Sequence, residues 1–277
     1  MEMQGLRIFD PLSADAQLER AIIYSRSGFG KSRLWASLTP RFGEILLYAA
    51  DHSSEFMAST TVAKKKRVRI LKPTTGDPTK CFQEFCIRDW RPIFPDVKTI
   101  VVDTYTQVIQ DSLQYSAATG AVTAEKHFVV GDPKAGGQVI PNRGDYRAIA
   151  SLSRGFLRSL FLHQAHYNII LVCHEDSKAF EGINIGGPAH AGWEMSEELP
   201  GHFSTVIRLV KEPLLVPGRD VPEMKVIAVT ESDGKYIAKL RESDEKNGNP
   251  MKRVVLDEDP TNFWVRYDEL FAPKVEV

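Results

Sequence analysis

Cysteine is scarce, with three residues in a chain of 277. So few exclude a disulfide framework and fit a reducing compartment. Cys81 and Cys86 have no second Cys or His pair at zinc spacing, which argues against a structural zinc site. An excess of either charge is also missing: Lys and Arg total 35, Asp and Glu 36, and the net charge is -1. That balance excludes a chain that coats nucleic acid by bulk charge, while leaving room for a local basic channel. No apolar run approaches the length of a membrane span, and the opening MEMQGLRIFDPL has no basic region followed by an apolar one. The expected location is the cytoplasm, with no membrane partner. No repeat and no interdomain linker breaks the chain, so a single domain over 1–277 is expected, with a core at about 20–245 and a C-terminal packing segment at 246–277.

Hydrophobic residues make up 43% of the chain, enough for a substantial core. They fall in short β-branched runs: RAIIYS (20–25), EILLYAA (44–50), RVRIL (67–71), KTIVVD (98–103) and YNIILVCHE (167–175). Continuous runs of this kind suit parallel strands covered on both faces. Helical patterns over 31–38, 79–89, 104–116 and 145–166 alternate with them, predicting an α/β fold with a mostly parallel central sheet flanked by helices. Beyond residue 200, the segments FSTVIRLVKE, EMKVIAVTES and KYIAKLRES are more closely spaced and predict antiparallel strands added at one edge. Two stretches, 117–144 and 177–198, are rich in Gly, Ala and Pro and read as long irregular loops, which in compact domains tend to be functional. The basic run KKKRVR (64–69) reads as a solvated turn or strand edge.

One further absence is local. Ser25-Arg26-Ser27-Gly28-Phe29-Gly30-Lys31-Ser32 matches a phosphate-binding loop except that Ser25 stands where the first glycine belongs. Anion binding in such loops comes from backbone N–H groups converging at a helix start, so the serine is compatible with it. Residues 25–33, through Arg33, are the candidate nucleotide cradle. Lys31 is placed to reach the β- and γ-phosphates, and the Ser32 hydroxyl to bind Mg²⁺. A metal-bound triphosphate needs a second acid, and TIVVDTYT supplies Asp103 at a strand end. Asp96 competes poorly, because it precedes that strand next to Pro95 in a turn. Two strand candidates, 44–50 and 67–71, intervene in sequence between the loop helix and Asp103.

With these motifs the chain resembles a RecA-like P-loop ATPase, and among those the stand-alone phage ATPases associated with single-strand annealing and recombination. The resemblance spans roughly residues 20–245 and implies ATP and Mg²⁺ as ligands and DNA-stimulated hydrolysis as activity. It implies that Asp51, after the strand LLYAA, orients the attacking water, with Glu55 as second candidate; a capping Asp at a strand-to-helix turn fits Asp51 equally. It implies that His174, in LVCHED, senses the γ-phosphate. Lys239 and Arg241, two apart in KYIAKLRES, correspond to a Lys-x-Arg pair that reaches a neighbouring subunit's nucleotide, although a solvated strand face fits them as well. The two irregular stretches correspond to loops that contact single-stranded DNA. The first holds Lys126, His127, Phe128 and Lys134, and Arg143, Tyr146 and Arg147 at the following helix; the second holds Lys178, Phe180, His190 and Trp193. The partners implied are single-stranded DNA, further copies of the chain in a ring or filament, and an annealing or single-strand-binding protein in a phage-infected host. A nucleotide-dependent switch or loader acting on a protein partner is the main alternative. A small-molecule kinase is the lesser one, since Arg88, Arg91, Arg154 and Arg158 form no lid motif.

Overall fold

The computed structural model describes residues 2–3, 6–7, 18–50, 68–74, 76–119, 128–130, 138–180, 183–190, 192–215, 221–240, 251–256 and 260–271. A short hairpin, β1 (Glu2–Met3) and β2 (Leu6–Arg7), precedes the first core strand β3 (Arg20–Ser25) and helix α1 (Lys31–Ala36). Next come β4 (Glu44–Ala49), β5 (Val68–Leu71), α2 (Pro78–Ile87), β6 (Val97–Asp103) and α3 (Tyr105–Thr119). A hairpin of β7 (Phe128–Val130) and β8 (Gln138–Ile140) leads to the long α4 (Arg143–His163). Then follow β9 (Asn168–Phe180), β10 (Ile183–Pro188), α5 (Trp193–Glu198), β11 (Thr205–Leu214), β12 (Glu223–Val229), β13 (Arg253–Leu256) and α6 (Thr261–Phe271).

The main sheet runs β13-β12-β11-β3-β9-β6-β4-β5, with β10 paired to β9 beside this path. The six strands from β11 to β5 are mutually parallel, whereas β12 is antiparallel to β11 and β13 to β12. Successive side chains of a strand point to opposite faces, so each apolar run feeds two layers. In β3, Ile22 and Tyr24 join Phe82, Phe85, Tyr105 and Phe156 on the α2–α3–α4 face. Ala21 and Ile23 join Leu34, Trp35, Phe263 and Trp264 on the α1–α6 face. Helices on both faces are what a parallel sheet requires.

Local signals set the helix starts. Asp77 accepts the Lys80 N–H and Pro78 stands in the first turn of α2, while Asn142 and Asp145 form a reciprocal capping box on α4. The C-terminal segment does pack: the Trp264 indole donates to the Leu34 carbonyl at 2.7 Å, and Asp268 pairs with Arg41.

Several expectations need correction. Stretch 177–198 is no irregular loop, because β9 continues to Phe180 and returns as β10 in a regular antiparallel register before α5. The glycines that read as loop residues serve close packing: a Cβ on Gly186 would lie 2.1 Å from the Tyr236 ring. Stretch 117–144 likewise contains the end of α3, the β7–β8 hairpin and the capped start of α4. β11 is parallel to β3 on one side and antiparallel to β12 on the other, so the antiparallel extension starts at its outer side, and the third edge strand is 253–256 rather than a strand within the described residues 235–240. Residues 236 and 239 form only isolated bridges. In space, the strand between β3 and β6 is β9, and neither β4 nor β5 lies there.

Candidate nucleotide site

Parallel strands end on the same rim, so their register decides which side chains meet. Ser25 stands opposite His174, Asp103 opposite Val172, and Ala49 opposite Asp103. The chain turns out of β3 through residues 26–30, where Gly28 and Gly30 have φ of 75° and 88°. This left-handed backbone favours glycine, and it lets the loop fold back over the start of α1. Gly30 is the cap of that helix and contributes no side-chain bond. Phe29 and Arg33 line a small notch of about 30 Å³ with Val226, Leu256 and Pro260.

The Lys31 side chain is almost fully buried, and its Nζ donates to the Ser25 and Arg26 carbonyls, at 3.2 Å each. It thus bonds two carbonyls of the loop's own first arm. Ser25, in the place of the missing glycine, is fully buried and donates its hydroxyl to the Arg26 carbonyl at 2.8 Å. The serine is therefore part of the loop's internal bonding.

Ser32 Oγ donates to Asp103 Oδ2 at 2.8 Å, which joins the loop helix to the acid strand. The same carboxylate oxygen accepts the Trp35 indole N–H, also at 2.8 Å. Asp103 is 1% exposed, and a buried carboxylate needs such donors to remain charged. Ser32 and Asp103 fit Mg²⁺, which commonly takes one or two protein oxygens and leaves its remaining positions to phosphate and water. Among the described residues no group of three or more His, Cys, Asp or Glu forms a separate cation cage.

His174 is half-buried, with its backbone fixed on both sides. Its N–H donates to Thr106 Oγ1 at 3.0 Å, and its carbonyl accepts the Ala189 N–H at 2.7 Å. Thr106 in turn donates to the Ala189 carbonyl at 2.9 Å. The neighbouring Cys173 thiol is pushed up to about 12 by burial, which makes it an inert core residue.

The structure thus brings together Ser25, Lys31, Ser32, Asp103 and His174. Asp51, Glu55 and Arg241 lie outside the described residues, although β4 delivers Ala50 to this rim, where its N–H donates to the Asp103 carbonyl at 2.9 Å. Lys239 sits elsewhere. It exchanges both backbone bonds with Val206, which is level with Ile22 and three residues short of Ser25, and burial lowers its ammonium pKa.

Of the predicted strand-binding residues, Arg143, Tyr146 and Arg147 are exposed on the first turns of α4, and Lys178 is exposed on β9. His190 is a correction. It is 7% exposed and its Nε2 lies 2.8 Å from Ser153 Oγ, which also bonds Tyr105, so it is unable to stack on a base. Lys126, His127 and Lys134 lie outside the described residues, and so do the side chains of Phe128, Phe180 and Trp193. Three arginines weighed for a kinase lid are engaged elsewhere: Arg88 stacks on Trp90, Arg91 pairs with Asp89, and Arg154 pairs with Glu198.

Trp35 and Thr106 were missed from sequence, and Glu175 was read there only as the residue paired with His174 at the end of its strand. Trp35 reads as a core aromatic, and only the sheet register brings its indole to Asp103. No protein-family model matches the chain, and no curated protein matches it significantly.

Proposed function

We propose that the protein is a RecA-like ATPase that binds Mg·ATP, assembles with copies of itself, and acts on single-stranded DNA in recombination or annealing of the phage type. The observation that carries the nucleotide part is the Ser32–Asp103 hydrogen bond beneath the Gly28–Gly30 turn. It joins the two motifs that sequence alone could only pair by expectation. The RecA-like part is supported by β9, which separates the loop strand from the acid strand as in the additional-strand ATPases, and by the His174 position level with Ser25. The DNA part is supported by the exposed Arg143, Tyr146 and Arg147, which offer cations for phosphates and an aromatic face for a base.

In this reading Lys31 leaves the Ser25 and Arg26 carbonyls for the phosphates, and the loop amides hold the triphosphate. Ser32 and Asp103 hold Mg²⁺, whose charge offsets that of the phosphate oxygens. Asp51, the residue after Ala50, accepts the proton of the attacking water, and His174 donates to the γ-phosphate.

The test is steady-state ATP hydrolysis with and without single-stranded DNA, beside Lys31→Ala. DNA stimulation of at least about tenfold, lost in the variant, is expected. Lys31-dependent hydrolysis indifferent to DNA would remove the DNA part and favour a switch. The absence of any Lys31-dependent nucleotide binding would remove the whole reading.

A further inference from the structure

One charged group beside the loop has no role in this reading. Glu175, the residue after His174, has a side chain only 5% exposed, yet it carries two ion pairs. The Arg208 guanidinium donates to its Oε2 at 2.8 Å, and Arg26 Nε lies 3.5 Å from its Oε1. Arg208 is itself fixed, because its guanidinium stacks on the Tyr236 ring 3.2 Å from the centroid. That ring rests on the backbone of Gly186, whose N–H donates to the Lys235 carbonyl at 2.7 Å. Glu175 is therefore held rigidly on the sheet. Arg26, by contrast, is an exposed loop residue with a 71% exposed side chain.

We propose that Glu175 is a positioning residue for the phosphate loop, and that it acts through Arg26. The first arm of the loop, Ser25-Arg26, carries the two carbonyls that Lys31 bonds. Where the usual glycine is absent, that arm is held from inside by the Ser25 hydroxyl and from outside by the Arg26–Glu175 pair. A loop that binds an anion through backbone N–H groups gains affinity from being set in place beforehand. Glu175 sets it, with Arg208 and Tyr236 as its anchor. The opposite effect competes with this one: a carboxylate near a triphosphate repels it, and Glu175 would then weaken binding. Arg208 decides between them, because its close pairing offsets the Glu175 charge and leaves the geometric contribution dominant.

The inference rests on the nucleotide reading, and one experiment separates the two. Equilibrium binding of a fluorescent ATP analogue with Mg²⁺ is measured for the unaltered protein, Lys31→Ala, Arg26→Gln, Glu175→Gln and the Arg26→Gln/Glu175→Gln double variant. Each single latch variant is expected to bind about twofold to fivefold more weakly, with the double no weaker than either single, since the two residues act as one unit. Arg26→Lys, which keeps the charge, is expected to recover most of the loss. Wild-type affinity in Arg26→Gln, tighter binding in Glu175→Gln, or additive losses would each overturn the latch while leaving the loop assignment intact. No Lys31-dependent binding by the unaltered protein would overturn both. Glu175→Gln leaves Arg208 without its counter-charge and endangers folding. Arg26→Gln alters an exposed side chain, and unchanged affinity in it overturns the latch even where Glu175→Gln does not fold.

Discussion

At the residue scale the site turns on how one buried carboxylate is aimed. Asp103 Oδ2 takes two donors, the Ser32 hydroxyl and the Trp35 indole, and only the first is a group that Mg·ATP would recruit. Trp35 thus bears on the oxygen proposed to hold the metal: Ser32 donates from the start of the loop helix, whereas Trp35 donates from the core side. Replacing it with Phe keeps most of the apolar volume on the α1–α6 face and removes the N–H. A hydrogen bond to a charged group is worth about 1.5–3 kcal/mol, so Trp35→Phe is expected to lower unfolding stability by roughly that amount. Mg²⁺-dependent nucleotide affinity is expected to fall with it, because Asp103 loses its fixed orientation. Denaturant unfolding and a Mg²⁺ titration of nucleotide binding measure the two effects. Loss of stability with an unchanged Mg²⁺ requirement would reduce Trp35 to a core residue.

At the scale of elements, legibility followed which neighbours a strand has. β3, β4 and β6 are apolar on both faces and flanked by sheet neighbours, so their sequences announced them within a residue or two. β11 was legible in place and in its antiparallel pairing with β12, but not in its parallel pairing with β3. Its first half, Thr205–Ile207, is buried on both faces beside β3, as a parallel core strand should be. From Arg208 onward exposure alternates, and that half is paired antiparallel with β12. β10 was hidden because Gly186 and Gly187 read as loop, and nothing in sequence says that Tyr236 will lie against them. The loop, Asp103 and His174 were legible because local motifs carry them, whereas Trp35 and Glu175 matter only through long-range packing.

The α4–α5 contact supports a second prediction at this scale. Arg154 donates to Glu198 across these helices and holds its carboxyl below the usual carboxylate range. A lowered folded pKa contributes stability above the unfolded pKa of about 4.3, and that contribution is lost as pH falls through the folded value. Both side chains are about a third exposed or more, so the pair is worth less than about 1 kcal/mol. Arg154→Ala should therefore be slightly less stable at pH 7 and indistinguishable once pH has fallen below the folded Glu198 pKa, by thermal melting across pH. A deficit that persists in acid would assign the loss to packing of the arginine stem.

At the scale of the whole molecule the open question is whether one copy suffices. Lys239 is level with Ile22, about 10 Å of strand short of Ser25, and its backbone is bridged to Val206. That placement disfavours service to its own loop, so under the proposed function a catalytic Lys239 would act on a neighbour's nucleotide across a head-to-tail contact. Two inactive variants then become complementary. Lys31→Ala lacks a working loop but offers Lys239, whereas Lys239→Ala keeps the loop and lacks the donated cation. With random assembly of equal amounts, about one site in four pairs an intact loop with an intact neighbouring Lys239. Because such a cation contributes about 10³-fold or more to turnover, each variant alone should be nearly silent. The mixture should hydrolyse ATP at about a quarter of the wild-type rate per protomer, when single-stranded DNA is present to assemble it. Recovery that grows with protein concentration marks action between copies. A mixture no faster than the sum of its parts, at concentrations where sedimentation shows assembly, assigns Lys239 to the fold alone.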